Sequence, residues 1–139
     1  MTEQKKRRKI LIVDDDPDIV SSLSNYLELE GFEVLRAGGG KEALEMIKEP
    51  NLDIIALDIM MPDVDGFQVI ENLRRDPKTA QIPVIFLTAK TADEDVLKGW
   101  QKGAASYITK PFNFAELVRA VELIFETGGK AQKERTYDL

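Results

Sequence analysis

Four short stretches hold the residues in this chain that can do chemistry. "ILIVDDDPD" runs four apolar residues, ending at Val13, into Asp14, Asp15 and Asp16. "IIALDIMMPDVDG" closes a second apolar run on Asp58, "VIFLT" ends on Thr88, and "SYITKPF" ends on Thr109, Lys110 and Pro111. Two like charges about 4 Å apart repel by roughly 4 kcal/mol at an effective dielectric near 20, so a carboxylate cluster needs a reason. Such a cluster protonates in part unless a cation joins it. The chain has no His and no Cys. Only oxygen ligands are on offer, and the matching cation is hard, Mg²⁺ or Mn²⁺. Lys110 is a point charge suited to a phosphate oxygen, and Thr88 offers a hydroxyl donor. Carboxylate, divalent ion, ammonium and hydroxyl together are the parts of in-line phosphoryl transfer to a carboxylate.

These residues need elements to bring them together. Short β-rich runs fall at 10–13, 32–35, 53–57, 84–87 and 107–109. Helical spacing fills the gaps. Ile19, Val20, Leu23, Tyr26 and Leu27 mark a first helix, with Gly31 as its C-terminal cap. Ala43, Leu44 and Ile47 mark a second, Phe67, Ile70 and Leu73 a third, and Val96, Leu97 and Trp100 a fourth capped by Gly103. The fifth carries Phe114, Leu117, Val118, Val121, Ile124 and Phe125, opens on the Asn113/Glu116 pair and closes at Gly128–Gly129. Five βα units imply an α/β fold: a parallel five-stranded sheet with helices on both faces. Right-handed crossovers favour the doubly wound order 2-1-3-4-5, with ligands at the carboxyl ends of the strands. All the chemical residues above stand at such ends.

Composition sets the limits. A chain of 139 residues is one ordinary domain, and 43% apolar content makes it globular. Residues 9–127 read as that domain, 1–8 as a basic lead-in and 128–139 as a polar tail, either a linker stub or a natural end. No apolar run spans a membrane and no signal-peptide pattern precedes the first strand. The absence of cysteine suits a cytoplasmic setting. Net charge is −6, and five cations sit in the run Lys5, Lys6, Arg7, Arg8, Lys9. An acidic body argues against direct nucleic-acid binding.

The four motifs, "ILIVDDDPDI", "ALDIMMPDVDG", "VIFLTAK" and "SYITKPF", taken in this order, resemble the response regulator receiver domain of two-component signalling. The resemblance covers residues 9–127 and implies a flavodoxin-like (βα)₅ sandwich. It implies that Asp58 is the phospho-acceptor, that Asp15 ligates Mg²⁺ directly and Asp14 through water, and that the backbone carbonyl of Met60 is a further ligand. It implies that Thr88 and Lys110 contact the phosphoryl group, and that Tyr107 is the aromatic switch residue. The implied partners are a sensor histidine kinase or histidine phosphotransfer protein and a downstream protein of unknown identity, and the resemblance also admits a phosphorylation-linked dimer. The implied activity is signalling rather than enzyme turnover, with slow self-dephosphorylation.

Other residues read differently. Asp16 before Pro17 is a helix N-cap. Asp63 and Asp65 look like turn and N-cap residues. Trp100 is either local packing or partner-facing. Gly38, Gly39 and Gly40 suggest loose local order. Met60 and Lys90 flank the path of a water attacking the phosphorylated acceptor, and neither orients it. The alternative function is a phosphorylation-independent module on the same fold, which the intact set of acid pair, acceptor, Thr and Lys argues against. A haloacid-dehalogenase-type phosphohydrolase would share Asp14-x-Asp16, but Pro17 and Asp18 depart from its pattern. A flavin binder would need a Ser/Thr/Gly-rich loop after strand 1, where this chain is acidic.

Overall fold

The computed structural model describes residues 7–89 and 93–127. Lys90, the Lys5–Lys6 part of the basic run, the Gly128–Gly129 stop and the polar tail lie outside the described residues. Five strands and five helices alternate: β1 (Lys9–Val13), α1 (Pro17–Leu29), β2 (Glu33–Ala37), α2 (Gly40–Met46), β3 (Ile54–Asp58), α3 (Gly66–Arg75), β4 (Val84–Thr88), α4 (Asp93–Gln101), β5 (Ser106–Thr109) and α5 (Phe114–Thr127). The strands are all parallel, in the expected order β2-β1-β3-β4-β5. No helix among the described residues is long and apolar enough to cross a membrane.

The two-residue period of the strands sorts the core into two layers. Leu11, Val13, Ile55, Leu57, Val84 and Phe86 face one side and pack with α2, α3 and Trp100 of α4. Ile10, Ile12, Ile54, Ala56, Ile85 and Leu87 face the other, against α1 and α5. β3 and β4 are buried along their whole length, as a parallel sheet covered on both faces requires.

Helix ends follow local chemistry. Asp16 caps α1 by accepting from the Asp18 N–H at 2.9 Å. Gly31 (φ 99) and Gly103 (φ 94) supply the left-handed residue after α1 and α4. Asp65 and Gln68 bond each other's backbone N–H at the start of α3, as do Asn113 and Glu116 at α5. Each such cap contributes about 1 kcal/mol.

Longer-range contacts tie the loops down. The Arg74 guanidinium donates to the carbonyls of Ala80 and Ile82, 3.1 and 2.8 Å, and of Gly103, 2.9 Å. It thereby joins the α3–β4 and α4–β5 connections. Lys102 and Glu71 form an ion pair between the end of α4 and α3. At the same amino-terminal rim of the sheet Lys9 donates to the Pro50 carbonyl, with Glu33 and Glu49 within 4 Å, and Arg8 lies 3.9 Å from the centre of the Phe125 ring. Those two cations of the basic run are thus packed against the domain.

Candidate functional site

Register assembles the site. Val13 of β1 is level with Leu57 of β3, Asp58 with Leu87 of β4, and Thr88 with Thr109 of β5. The residues at or just past the ends of four strands therefore share one rim. Asp14, Asp15 and Asp58 each bring a carboxylate oxygen within 4.8 Å of the others. Asp14 and Asp58 are buried, at 0% and 5% exposure, and Asp15 faces solvent. Thr88 is 1% exposed at the end of β4.

Lys110 reaches this cluster from β5. Its Nζ donates to Asp14 Oδ2 at 2.6 Å and to Asp58 Oδ2 at 3.4 Å. Its backbone N–H donates to the Thr88 carbonyl at 2.7 Å, and the Lys110–Pro111 bond is cis. Asp14 and Asp58 each also accept from a backbone N–H. The Asp16 N–H reaches Asp14 Oδ1 at 3.0 Å, and the Met60 N–H reaches Asp58 Oδ1 at 3.3 Å.

Burial is the main force on Asp58. It pushes the carboxyl up to about 6, the charge of Asp14 pushes the same way, and Lys110 and the Met60 N–H pull back. At neutral pH the group is mostly ionised, yet held in a place that disfavours its charge. Burial also acts to lower Lys110, but its hydrogen bond to Asp14 and the charges of Asp14 and Asp58 prevail, so its ammonium is held above the usual lysine value. An ionised, poorly solvated carboxylate beside a fixed ammonium is a competent nucleophile toward an anionic electrophile.

The remaining residues singled out from the sequence lie around this centre. Met60 follows Asp58 by two and its side chain is 70% exposed. Tyr107 of β5 stands apart from the carboxylates, half-buried on the α4 side. Its ring centre is 5.4 Å from Phe86 and 5.5 Å from Trp100. Trp100 is buried in that layer, which settles its reading toward local packing.

Two positions here, Gly66 and Gly99, escaped the sequence reading, and a third, Gly40, was read there as loose. A Cβ at Gly66 would lie 2.6 Å from the Asp58 carbonyl oxygen and 2.9 Å from Ile59 Cα, so α3 starts directly against the backbone of Asp58. A Cβ at Gly40 would lie 2.0 Å from the Val64 carbonyl oxygen. Gly39 and Gly40 of the three-glycine run are thus closely packed rather than loose, while Gly38 is exposed. A Cβ at Gly99 would lie 2.3 Å from Tyr107 Oη. No local pattern marks these glycines, because each is fixed by a neighbour from another part of the chain.

Comparisons with known proteins agree with this fold. The family described as "Response regulator receiver domain" matches residues 10–122. The chain is 42% identical over 116 residues to the DNA-binding dual master transcriptional regulator RpaA of Synechocystis, covering 84% of this chain and 48% of the relative. It is 38% identical over 130 residues to the transcriptional regulatory protein CpxR of Escherichia coli, covering 94% and 54%. The chain therefore spans about half the length of these curated relatives. Among solved structures, the chemotaxis protein CheY4 of Vibrio cholerae superposes with a TM-score of 0.82 at 31% identity, covering 86% of this chain and 99% of that one.

Proposed function

This chain belongs to the response regulator receiver domain family of two-component signalling, and from that premise we propose that it is a phosphorylation-dependent switch whose acceptor is Asp58. The observation that carries the reading is the convergence of Asp58, Asp14, Asp15, Thr88 and Lys110 on one rim.

The donor is a phosphohistidine on a sensor histidine kinase or histidine phosphotransfer protein in the cytoplasm. An Asp58 carboxylate oxygen attacks phosphorus. A P–O bond forms, the P–N bond breaks, and the imidazole leaves with the electron pair and takes up a proton. Lys110 exchanges a carboxylate for a phosphoryl oxygen, and the Thr88 hydroxyl donates to another.

The donor set fits a hard divalent cation, since it is all oxygen and carries three clustered carboxylates. Asp15 and Asp58, the Met60 carbonyl, and Asp14 through water would hold Mg²⁺ or Mn²⁺. The ion would neutralise charge on the carboxylates and on the transferring oxygens.

The new contacts draw Thr88 and Lys110 toward the phosphoryl group. That biases β4 and β5, and with them Tyr107 and the α4–β5–α5 surface, toward a second arrangement read by a downstream protein or a second copy. Two or three charge-assisted contacts are worth about 1.5–3 kcal/mol each. That is of the order of the roughly 5.5 kcal/mol that takes a two-state balance from 1:99 to 99:1.

Intact mass after incubation with acetyl phosphate tests the reading. A gain of one phosphoryl group that needs both Mg²⁺ and Asp58, and is lost in Asp58→Asn, is expected. A folded, Mg²⁺-binding protein that gains none from acetyl phosphate or from a phosphohistidine donor would overturn it.

A further inference from the structure

Helix α2 begins without a cap of its own. Gly39 stands at its N-cap position in extended backbone and has no side chain to offer. The N–H groups of Gly40 and Lys41 are taken instead by Asp63, at 3.2 and 3.1 Å. Asp63 also accepts from the Val64 N–H at 2.7 Å. These donors, Val64 first and then Lys41, hold its carboxyl below the usual aspartate value. The chain is tightly apposed here, since Gly40 has room only for a hydrogen against the Val64 carbonyl.

Asp63 lies in the loop that runs from Asp58 to α3. The start of that loop is held by the Met60 N–H on Asp58 and by the Gly66 N–H on the Ile59 carbonyl, 2.9 Å. Its end is held by the Asp65–Gln68 pair. Between them, the bonds of Asp63 attach the loop to α2. A cap borrowed from 23 residues away does two things. It satisfies the helix, and it fixes the loop that carries Met60.

We propose that Asp63 is a positioning residue for the phosphorylation site, holding the Met60 carbonyl in place relative to Asp58 through its bonds to α2. The inference rests on the reading of Asp58 and Met60 given above. If Asp63 served α2 alone, any local cap could replace it. If it tethers the loop, a local cap restores the helix and leaves the site loose.

The test separates the two with Asp63→Ala, alone and combined with Gly39→Ser. The three atoms nearest to a Cβ at position 39 belong to the Asp63 carboxylate, at 3.2 to 3.6 Å, so serine fits once that carboxylate is gone. Its hydroxyl then caps α2 from within. Stability is read from the urea midpoint, and Mn²⁺ affinity from the paramagnetic resonance signal of the free ion. The rate of phosphoryl gain from acetyl phosphate is read by intact mass.

The double variant is expected to recover the urea midpoint while its Mn²⁺ affinity stays about tenfold below that of the unaltered chain. That is the lower end of what lost outer-shell support costs. An affinity that returns with the cap, or never falls, overturns the inference. Should Asp63→Ala not fold, Asp63→Asn, which keeps the shape but only one acceptor oxygen, is expected to lower the midpoint and the affinity together; a lowered midpoint with an unchanged affinity overturns the inference. An unaltered chain that neither binds Mn²⁺ nor gains a phosphoryl group overturns the reading of the site itself, and is told apart by that control.

Discussion

Replacing Gly99 by alanine sets two opposite effects against each other. Position 99 is inside α4, where alanine is preferred to glycine by roughly 0.5–1 kcal/mol. On propensity alone, Gly99→Ala stabilises the domain. The packing says otherwise. The added methyl would lie 2.3 Å from Tyr107 Oη, 2.8 Å from its Cε2 and 2.9 Å from its Cζ. The ring must leave, and with it go its contacts with Phe86 and Trp100. Aromatic pairs are worth about 0.5–1.5 kcal/mol each, so losing both costs about 1–3 kcal/mol. Packing wins, and the expected net change is a loss of about 0.5–2 kcal/mol. Urea unfolding gives the free energy. The emission of Trp100, which is the one tryptophan in the sequence, reports departure of the ring. In a Tyr107→Ala background the clash is absent, and the same substitution is expected to stabilise by about 0.5–1 kcal/mol. That reversal of sign is the signature of the contact. If Gly99→Ala stabilises the chain with Tyr107 present and leaves Trp100 emission unchanged, the slot occupied by Tyr107 is not what glycine is there to provide.

Two further outcomes follow from the site. Asp58 has its folded pKa raised to about 6 from 3.8, so its own contribution to native stability is full below the unfolded value and is lost as pH rises through 6. Without divalent ions, Asp58→Asn is expected to be more stable than the parent above pH 6, by up to about 3 kcal/mol, with the advantage fading toward pH 4; a constant difference across that range in urea titrations would refute it. The exposed Met60 beside the acceptor cannot orient water, so the phosphorylated chain is expected to persist for minutes or longer, and Met60→Asn to shorten its lifetime by about tenfold, some 1.4 kcal/mol off the barrier. Timed loss of phosphate from the parent within seconds would defeat that argument.

What the sequence disclosed, and what it hid, divides by range. The Asp16 cap, the glycine stops at 31 and 103 and the Asn113–Glu116 box are interactions across a few residues, and each left its mark in the local pattern. The strand ends were readable too, since apolar runs that stop on Asp, Thr and Lys are visible by eye, and the parallel order then brings them to one rim. The glycines at 38–40 suggested slack because the atoms that press on Gly39 and Gly40 come from residues 63 and 64. Arg74 drew no reading from the sequence, because the three carbonyls it joins lie six to 29 residues away. Asp63 was legible as a turn residue but not as another helix's cap.

The bridging position of Lys110 has a wider consequence. Asp14 and Asp58 already possess a counter-ion, one attached to the chain and therefore never diluted away. A divalent ion held by the cluster as proposed would not fill a void; it would compete with a resident cation whose local concentration is fixed by the fold. Such an exchange lowers the apparent affinity for the free ion. Occupancy then follows the surrounding metal concentration, while the resting domain keeps its acidic rim from repelling itself apart when metal is scarce. The same lysine, once displaced, is released beside the acceptor with its charge unspent. On the function proposed above, loading the site would also free the group proposed to hold the phosphoryl oxygen.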